Sequence, residues 1–124
     1  EQDHARIFFN YIIQRGGHVE LKPIEGVPTT WESPLTVFEA TLAHEQKGTQ
    51  LINSLFALTT AENDYATQSM LKWFIDEQVE EEENAKNIID NLRMIKDNGY
   101  GLYMLDKDLG ARTYTQAAPL AAKA

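Results

Sequence analysis

Three segments of this 124-residue chain carry side chains that bind hard cations, each at helical spacing. Glu1-x-x-His4 sets a carboxylate and an imidazole one turn apart, so both reach out from one helical face. Glu45 stands in the run AHEQ, and Gln78-x-x-Glu81 repeats the three-residue step further along. Their positions within the apolar pattern matter more than their types. Residues of the chain recur in alternating steps of three and four, the pattern of helices that face other helices. One stripe runs Glu1, His4, Phe8, Tyr11. The second runs Leu35, Phe38, Leu42, Glu45, Thr49, Ile52, Phe56. The third runs Leu71, Phe74, Gln78, Glu81, Ala85, Ile88, Leu92, Ile95. Such seams are expected to be apolar, because a buried unpaired carboxylate is costly and takes up a proton instead. Here all three are broken by oxygen or imidazole donors. Converging carboxylates repel one another unless a cation sits among them, and one metal centre accounts for all three interruptions. Glu-x-x-His motifs plus single glutamates from facing helices form the ligand pattern of di-iron bundles. An oxygen-rich set with one imidazole favours iron or manganese over sulfur-seeking metals. A lone Glu-x-x-His arises often by chance; its conjunction with Glu45 and Gln78-x-x-Glu81 carries the reading.

The neighbouring polar residues divide by their place relative to the seams. In the acidic run Glu80–Glu83, Glu82 and Glu83 read as a solvated face. Glu77 and Glu80 lie one step off the seam, where they would form an auxiliary cation site or an iron path. His44 points off its seam and reads as surface or as a support for Glu45. His18 reads as structural or exposed, and Trp31, Trp73 and Tyr103 as packing residues rather than redox relays.

The elements that must hold these residues are all helical. Helices are expected over about 1–15, 34–60, 63–97 and 100–109, within a single helical domain over 1–110. Gly16 and Gly17 end the first, and Asn98-Gly99 the third. Residues 16–33, with Pro23, Gly26 and Pro28, form a long crossover. Ser33-Pro34 opens the second helix as N-cap and first helical residue. Gly48, costly in mid-helix, is expected to admit a close neighbouring backbone. The tail 111–124 has little to bury and reads as mobile. The fold class is therefore all-α, a helical bundle with one long crossover. The chain opens on Glu1, without Met and already inside a helix, so a preceding segment is expected.

Composition narrows the functions. With 11 Lys+Arg against 19 Asp+Glu, the net charge of −8 and pI near 4.8 argue against nucleic-acid or anionic-membrane binding and favour cations. No cysteine is present, which excludes thiolate zinc sites and cysteine nucleophiles and fits a reducing compartment. No run approaches the roughly 18 apolar residues of a membrane span.

At these residues the sequence resembles the non-haem ferritins of bacteria and archaea. The likeness runs to about Gly110 and rests on HARIFFNYIIQRGG, WESPL, AHEQKGTQLIN, LKWFIDEQVEEEE and GLYMLDKDLG. It implies a ferritin-like four-helix bundle in a cytoplasmic, hollow homo-oligomer of 24 copies. The implied activity is ferroxidase: Fe(II) is oxidised to Fe(III) by dioxygen or peroxide at a di-iron centre, and ferric mineral is stored inside. By matched position, Glu1 would bridge the two irons and His4 bind the first. Glu45 and Glu81 would hold the second, and Gln78 would hydrogen-bond the oxidant or a bound water. Glu77, Glu80 and Glu81 match the family's third iron site. No Met stands out as a haem ligand, so no haem is expected. The family's first helix and the first half of its second have no counterpart here. The chain is therefore expected to be part of a longer subunit, incomplete at its N-terminal side.

Two rivals remain at this level: a rubrerythrin-like di-iron peroxidase, disfavoured by Gln78-x-x-Glu81 in place of a second Glu-x-x-His, and a metal-free helical module whose acidic seams bind a basic partner. A DNA-protecting mini-ferritin is disfavoured by the charge of −8. Replacing Glu1, Glu45 and Glu81 together by Leu separates the metal readings from the metal-free module. For a metal site the triple variant loses all metal-dependent gain in melting temperature, whereas a metal-free module shows no such gain and is simply stabilised.

Overall fold

The computed structural model describes residues 1–121, and among them every regular element is helical: α1 (Gln2–Gln14), α2 (Pro34–Ala61), α3 (Tyr65–Ile95), α4 (Gly99–Gly110) and α5 (Ala118–Ala121). The chain divides into two compact units, Thr29–Leu109 and a second made of Glu1–Pro28 with the segment from Gly110 onward.

The larger unit is built on a helical hairpin of α2 against α3. Ser33 caps α2 as its sequence suggested. Its Oγ accepts from the Thr36 backbone N–H (3.2 Å) while its own N–H donates to Thr36 Oγ1 (3.1 Å), and Pro34 follows. This reciprocal box satisfies two of the donors that a helix start leaves open, and Pro34 lacks the N–H that would otherwise be a third. The turn into α3 is short. Asn63 takes a left-handed conformation (φ 55°), and the Asp64 carboxylate accepts from the Thr67 N–H at 3.1 Å. Helix α3 thus starts at Tyr65 rather than 63, because its cap is Asp64.

The buried seam of α3 is Leu71, Phe74, Gln78, Ala85, Ile89 and Leu92, facing an α2 whose Ile52 and Thr59 are buried. Ile89 replaces the expected Ile88, which is only half-buried. The 3.6-residue turn drifts against a strict 3-4 alternation, and over this many turns the stripe moves by one position. Helix α3 stops at Ile95, earlier than expected. Lys96 turns into positive φ (53°), and Asn98 works for the next helix, its Oδ1 accepting from the Gly101 N–H at 2.8 Å.

In the other unit, α1 ends in a Schellman motif: the Gly17 N–H donates to the Ile12 carbonyl (2.8 Å) and the Gly16 N–H to that of Ile13 (2.9 Å). Gly16 sits at φ 78°, where a side chain would be strained. Residues 18–32 carry no regular structure, and Leu21, Ile24 and Val27 in them are 81%, 92% and 71% exposed. The segment after residue 110 carries α5 and an anchor to α1. Both the Tyr114 hydroxyl (2.8 Å) and the Ala117 N–H (2.9 Å) donate to Asp3 Oδ2. Little apolar area is buried there, so hydrophobic patterning gave no signal for it. Residues 122–124 of that expected tail lie outside the described residues.

The Ala117 amide and the Tyr114 phenol hold the Asp3 carboxyl below the usual aspartate range, and the same bond raises the Tyr114 phenol. A lowered folded-state pKa stabilises the anchor above the ordinary aspartate value, and that contribution is lost as pH falls through the lowered one. Carboxyl NMR of the metal-free protein should find Asp3 titrating below a free aspartate, and Tyr114→Phe should move it back up. An unshifted Asp3 would mean that the anchor is not held.

Candidate metal centre

The candidate ligands fall on three helices, each fixed by its own local structure. In α1, Glu1 and His4 face each other as the three-residue step requires, with His4 Nδ1 3.5 Å from Glu1 Oε2. The imidazole is mostly covered, its side chain 16% exposed, whereas the Glu1 carboxylate is 74% exposed.

In the hairpin, Glu45 of α2 meets Gln78 of α3. The Gln78 amide nitrogen donates to the Glu45 carbonyl at 3.0 Å and lies 3.4 Å from Glu45 Oε2 and 3.3 Å from Thr49 Oγ1. Gln78 is one of two buried polar residues among those described, at 7% exposure. It is satisfied because acceptors of α2 surround its amide nitrogen. Gly48 permits this approach, but to a side chain and not to the backbone expected from sequence: a Cβ built there would stand 3.1 Å from Gln78 Nε2. One turn on, Glu81 is half-buried, and it shares a second cluster with Glu77, their carboxylate oxygens within 4.8 Å of one another. That separation is one a single hard cation can span. Glu80 is exposed, as are His44 and His18. Trp73 packs edge-on to Phe74 with ring centroids 5.0 Å apart, but Trp31 and Tyr103, expected to pack, are 46% and 58% exposed.

Glu82, expected on a solvated face, instead turns inward: its Oε1 accepts from the Thr49 hydroxyl at 2.8 Å, and Oε2 pairs with Lys86 at 3.1 Å. The Thr49 hydroxyl, and after it Lys86, hold the Glu82 carboxyl below the usual glutamate range. A signal was present in the spacing, since Glu82 follows Gln78 by four residues and Thr49 follows Glu45 by four. In an acidic run, however, nothing in the sequence says which glutamate turns inward. Thr49, Gln78 and Glu82 line an open groove of about 820 Å³ whose apolar walls include Ile52, Ile75 and Val79.

The fit at Gly48 is measurable by a double-mutant cycle. Alanine in mid-helix gains about 1 kcal/mol over glycine, but here its methyl would stand 3.1 Å from Gln78 Nε2 and press the amide against its acceptors. In urea unfolding, Gly48→Ala should stabilise the chain by clearly less than that, and by the full amount in a Gln78→Ala background. Equal effects in both backgrounds would show that the contact is slack.

The pattern of the Ferritin-like domain family matches residues 1–95. The chain is 41% identical over 112 residues to the bacterial non-heme ferritin of Bacteroides fragilis (strain 638R), covering 90% of this chain and 69% of the relative. It is 38% identical over 116 residues to that of Staphylococcus aureus (strain USA300), covering 94% and 70%. Among solved structures, it is similar to a closed form of the Archaeoglobus fulgidus ferritin engineered by site-directed mutagenesis, with a TM-score of 0.89 and 40% identity over 90% of this chain and 68% of the other. The open-pore ferritin of the same archaeon gives 0.88 and 40%, over 89% and 68%. A family pattern that spans α1 to the end of α3, together with relatives at this identity, establishes that the chain belongs to the ferritin-like domain family.

Proposed function

We propose that this chain oxidises Fe(II) and helps to store the ferric product, with iron as substrate and cargo. Iron storage with ferroxidase activity is the function that its family membership carries. The roles of individual residues follow from the positions matched to that family. The observation that carries the proposal is the buried Gln78 amide bonded to Glu45, with Glu81 one turn further along α3. Its hydrogen bonds make the burial of this amide tolerable, and they keep the Glu45 carboxylate beside it on the α2–α3 seam. The donor chemistry suits iron: carboxylates and one imidazole, with no sulfur ligand.

In this reading Glu1 bridges two irons and His4 binds the first. Glu45 and Glu81 hold the second, and Gln78 hydrogen-bonds the oxidant or a bound water. Glu77, Glu80 and Glu81 take a third, nearby iron. Each Fe(II) gives up one electron, and dioxygen or peroxide takes two from the pair. Carboxylates favour the more highly charged ferric ion and so lower its reduction potential. A second iron held without imidazole is held loosely, which lets ferric product move on to the mineral. A homo-oligomeric cage of 24 copies and a cytoplasmic location belong to the same proposal. It is supported by the ferritin relatives and by a net charge of −8, which draws cations toward the protein. No helix among the described residues is long and apolar enough to cross a membrane.

Aerobic addition of Fe(II), followed by ferric absorbance, tests the reading. A fast phase saturating at about two irons per chain is expected for a di-iron centre. Glu45→Ala should slow it at least about tenfold, and Glu83→Gln, on an exposed position, should leave it unchanged. A Glu45→Ala protein that oxidises iron at the original rate would overturn the ligand assignment.

A further inference from the structure

We infer that Thr49, anchored by Glu82, is a positioning residue that fixes the orientation of the Gln78 amide; the inference rests on the proposed role of Gln78 at the iron centre. The Glu45 carbonyl has two lone pairs, and one accepts the helical N–H of Thr49. Two further donors reach for the other: the Thr49 hydroxyl at 3.1 Å and the Gln78 amide at 3.0 Å. A threonine hydroxyl in mid-helix ordinarily bonds back to that carbonyl. Here Glu82 offers it a shorter bond, 2.8 Å, to an ionised carboxylate, and charge-assisted bonds of this kind are the stronger ones. The hydroxyl proton therefore goes to Glu82. That leaves the Glu45 carbonyl to Gln78 and the Thr49 lone pairs open to the second amide proton at 3.3 Å, a proton shared with Glu45 Oε2 at 3.4 Å.

The result is a chain with one direction: Gln78 donates to Thr49, and Thr49 donates to Glu82, which Lys86 pairs at 3.1 Å from the exposed side. A flipped amide would set its oxygen against the Glu45 carbonyl and carboxylate, with no proton between them. Nitrogen is thus committed to α2, and Gln78 acts at the centre through its oxygen, as an acceptor. Bonds that polarise one another along a chain make that oxygen the better acceptor. Neither Thr49 nor Glu82 touches the reacting atoms in this account; both act through Gln78.

The test compares Thr49→Val, which keeps the shape and loses the hydroxyl, with Thr49→Ser, which keeps the hydroxyl. Two measurements are made: side-chain amide NMR signals of Gln78 in the metal-free protein, and the fast phase of Fe(II) oxidation. Thr49→Val should move the Gln78 amide protons toward those of a solvent-exposed glutamine. It should also slow oxidation about tenfold, the worth of one hydrogen bond, at unchanged apparent Fe(II) affinity. Thr49→Ser should restore both. Should Thr49→Val fold poorly by circular dichroism, Glu82→Leu removes the anchor without touching α2 and is expected to give the same two changes. Gln78 signals unmoved in both Thr49→Val and Glu82→Leu overturn the inference, as does a serine variant that fails to restore what valine loses. A moved amide with an unchanged oxidation rate overturns it as well. If the unmodified protein shows no fast oxidation, the proposed function fails instead, and the amide signals alone still decide whether Thr49 holds Gln78.

Discussion

A primary amide placed between two packed helices must give both its protons to acceptors, and Gln78 meets that demand only through a particular stretch of α2. The Glu45 carbonyl and carboxylate and the Thr49 hydroxyl supply the acceptors, and Gly48 supplies the room. Leaving such a group unbonded would cost about 1–3 kcal/mol, a sizeable share of a small domain's stability. The register of the α2–α3 hairpin is therefore tied to polar chemistry as well as to its apolar seam. A slip of one residue would bring a different α2 residue opposite the amide and leave its protons without partners. Leu71, Phe74, Ala85, Ile89 and Leu92 provide the driving force for the pairing, but similar apolar residues tolerate small shifts. The amide does not.

The same constraint explains the distribution of charge around the hairpin. Of the run from Glu80 to Glu83, Glu82 turns toward α2 because the Thr49 hydroxyl meets it there, and Lys86 of its own helix pairs its other oxygen, while Glu80 and Glu83 stay exposed. Glu77 and Glu81 keep their carboxylates close together, which is unfavourable between two anions and favourable around a cation. Charge is thus compensated by the Thr49 hydroxyl and Lys86 at Glu82, and gathered in one cluster at Glu77 and Glu81. In the unit containing α1, Asp3 follows the first course, its carboxylate taken up by the Tyr114 hydroxyl and the Ala117 amide.

Much of this could be read from the chain. Ser33-Pro34 encodes its cap in two residues, because capping is local chemistry. The seams exposed Glu45, Gln78 and Glu81 because periodicity is a property of the helix itself. What escaped depends on the partner helix. Ile89 in place of Ile88 reflects drift of the turn over a long helix. The close approach to Gly48 comes from a side chain that sequence spacing cannot place. Glu82 is chemically identical to its neighbours, and only the hydroxyl across the interface selects it. The α1–tail anchor rests on two hydrogen bonds to one carboxylate and leaves no trace in hydrophobic patterning.

The brevity of the turn between α2 and α3 has an entropic consequence. Three residues, Glu62–Asp64, separate two long helices, and the polar bonds between them join partners 29 or 33 apart in sequence. Once both helices are formed, so short a connection leaves little further entropy to lose in docking one on the other. Glu45 and Gln78 are thus joined within one hairpin, and their pairing needs no residue outside α2, α3 and the turn between them.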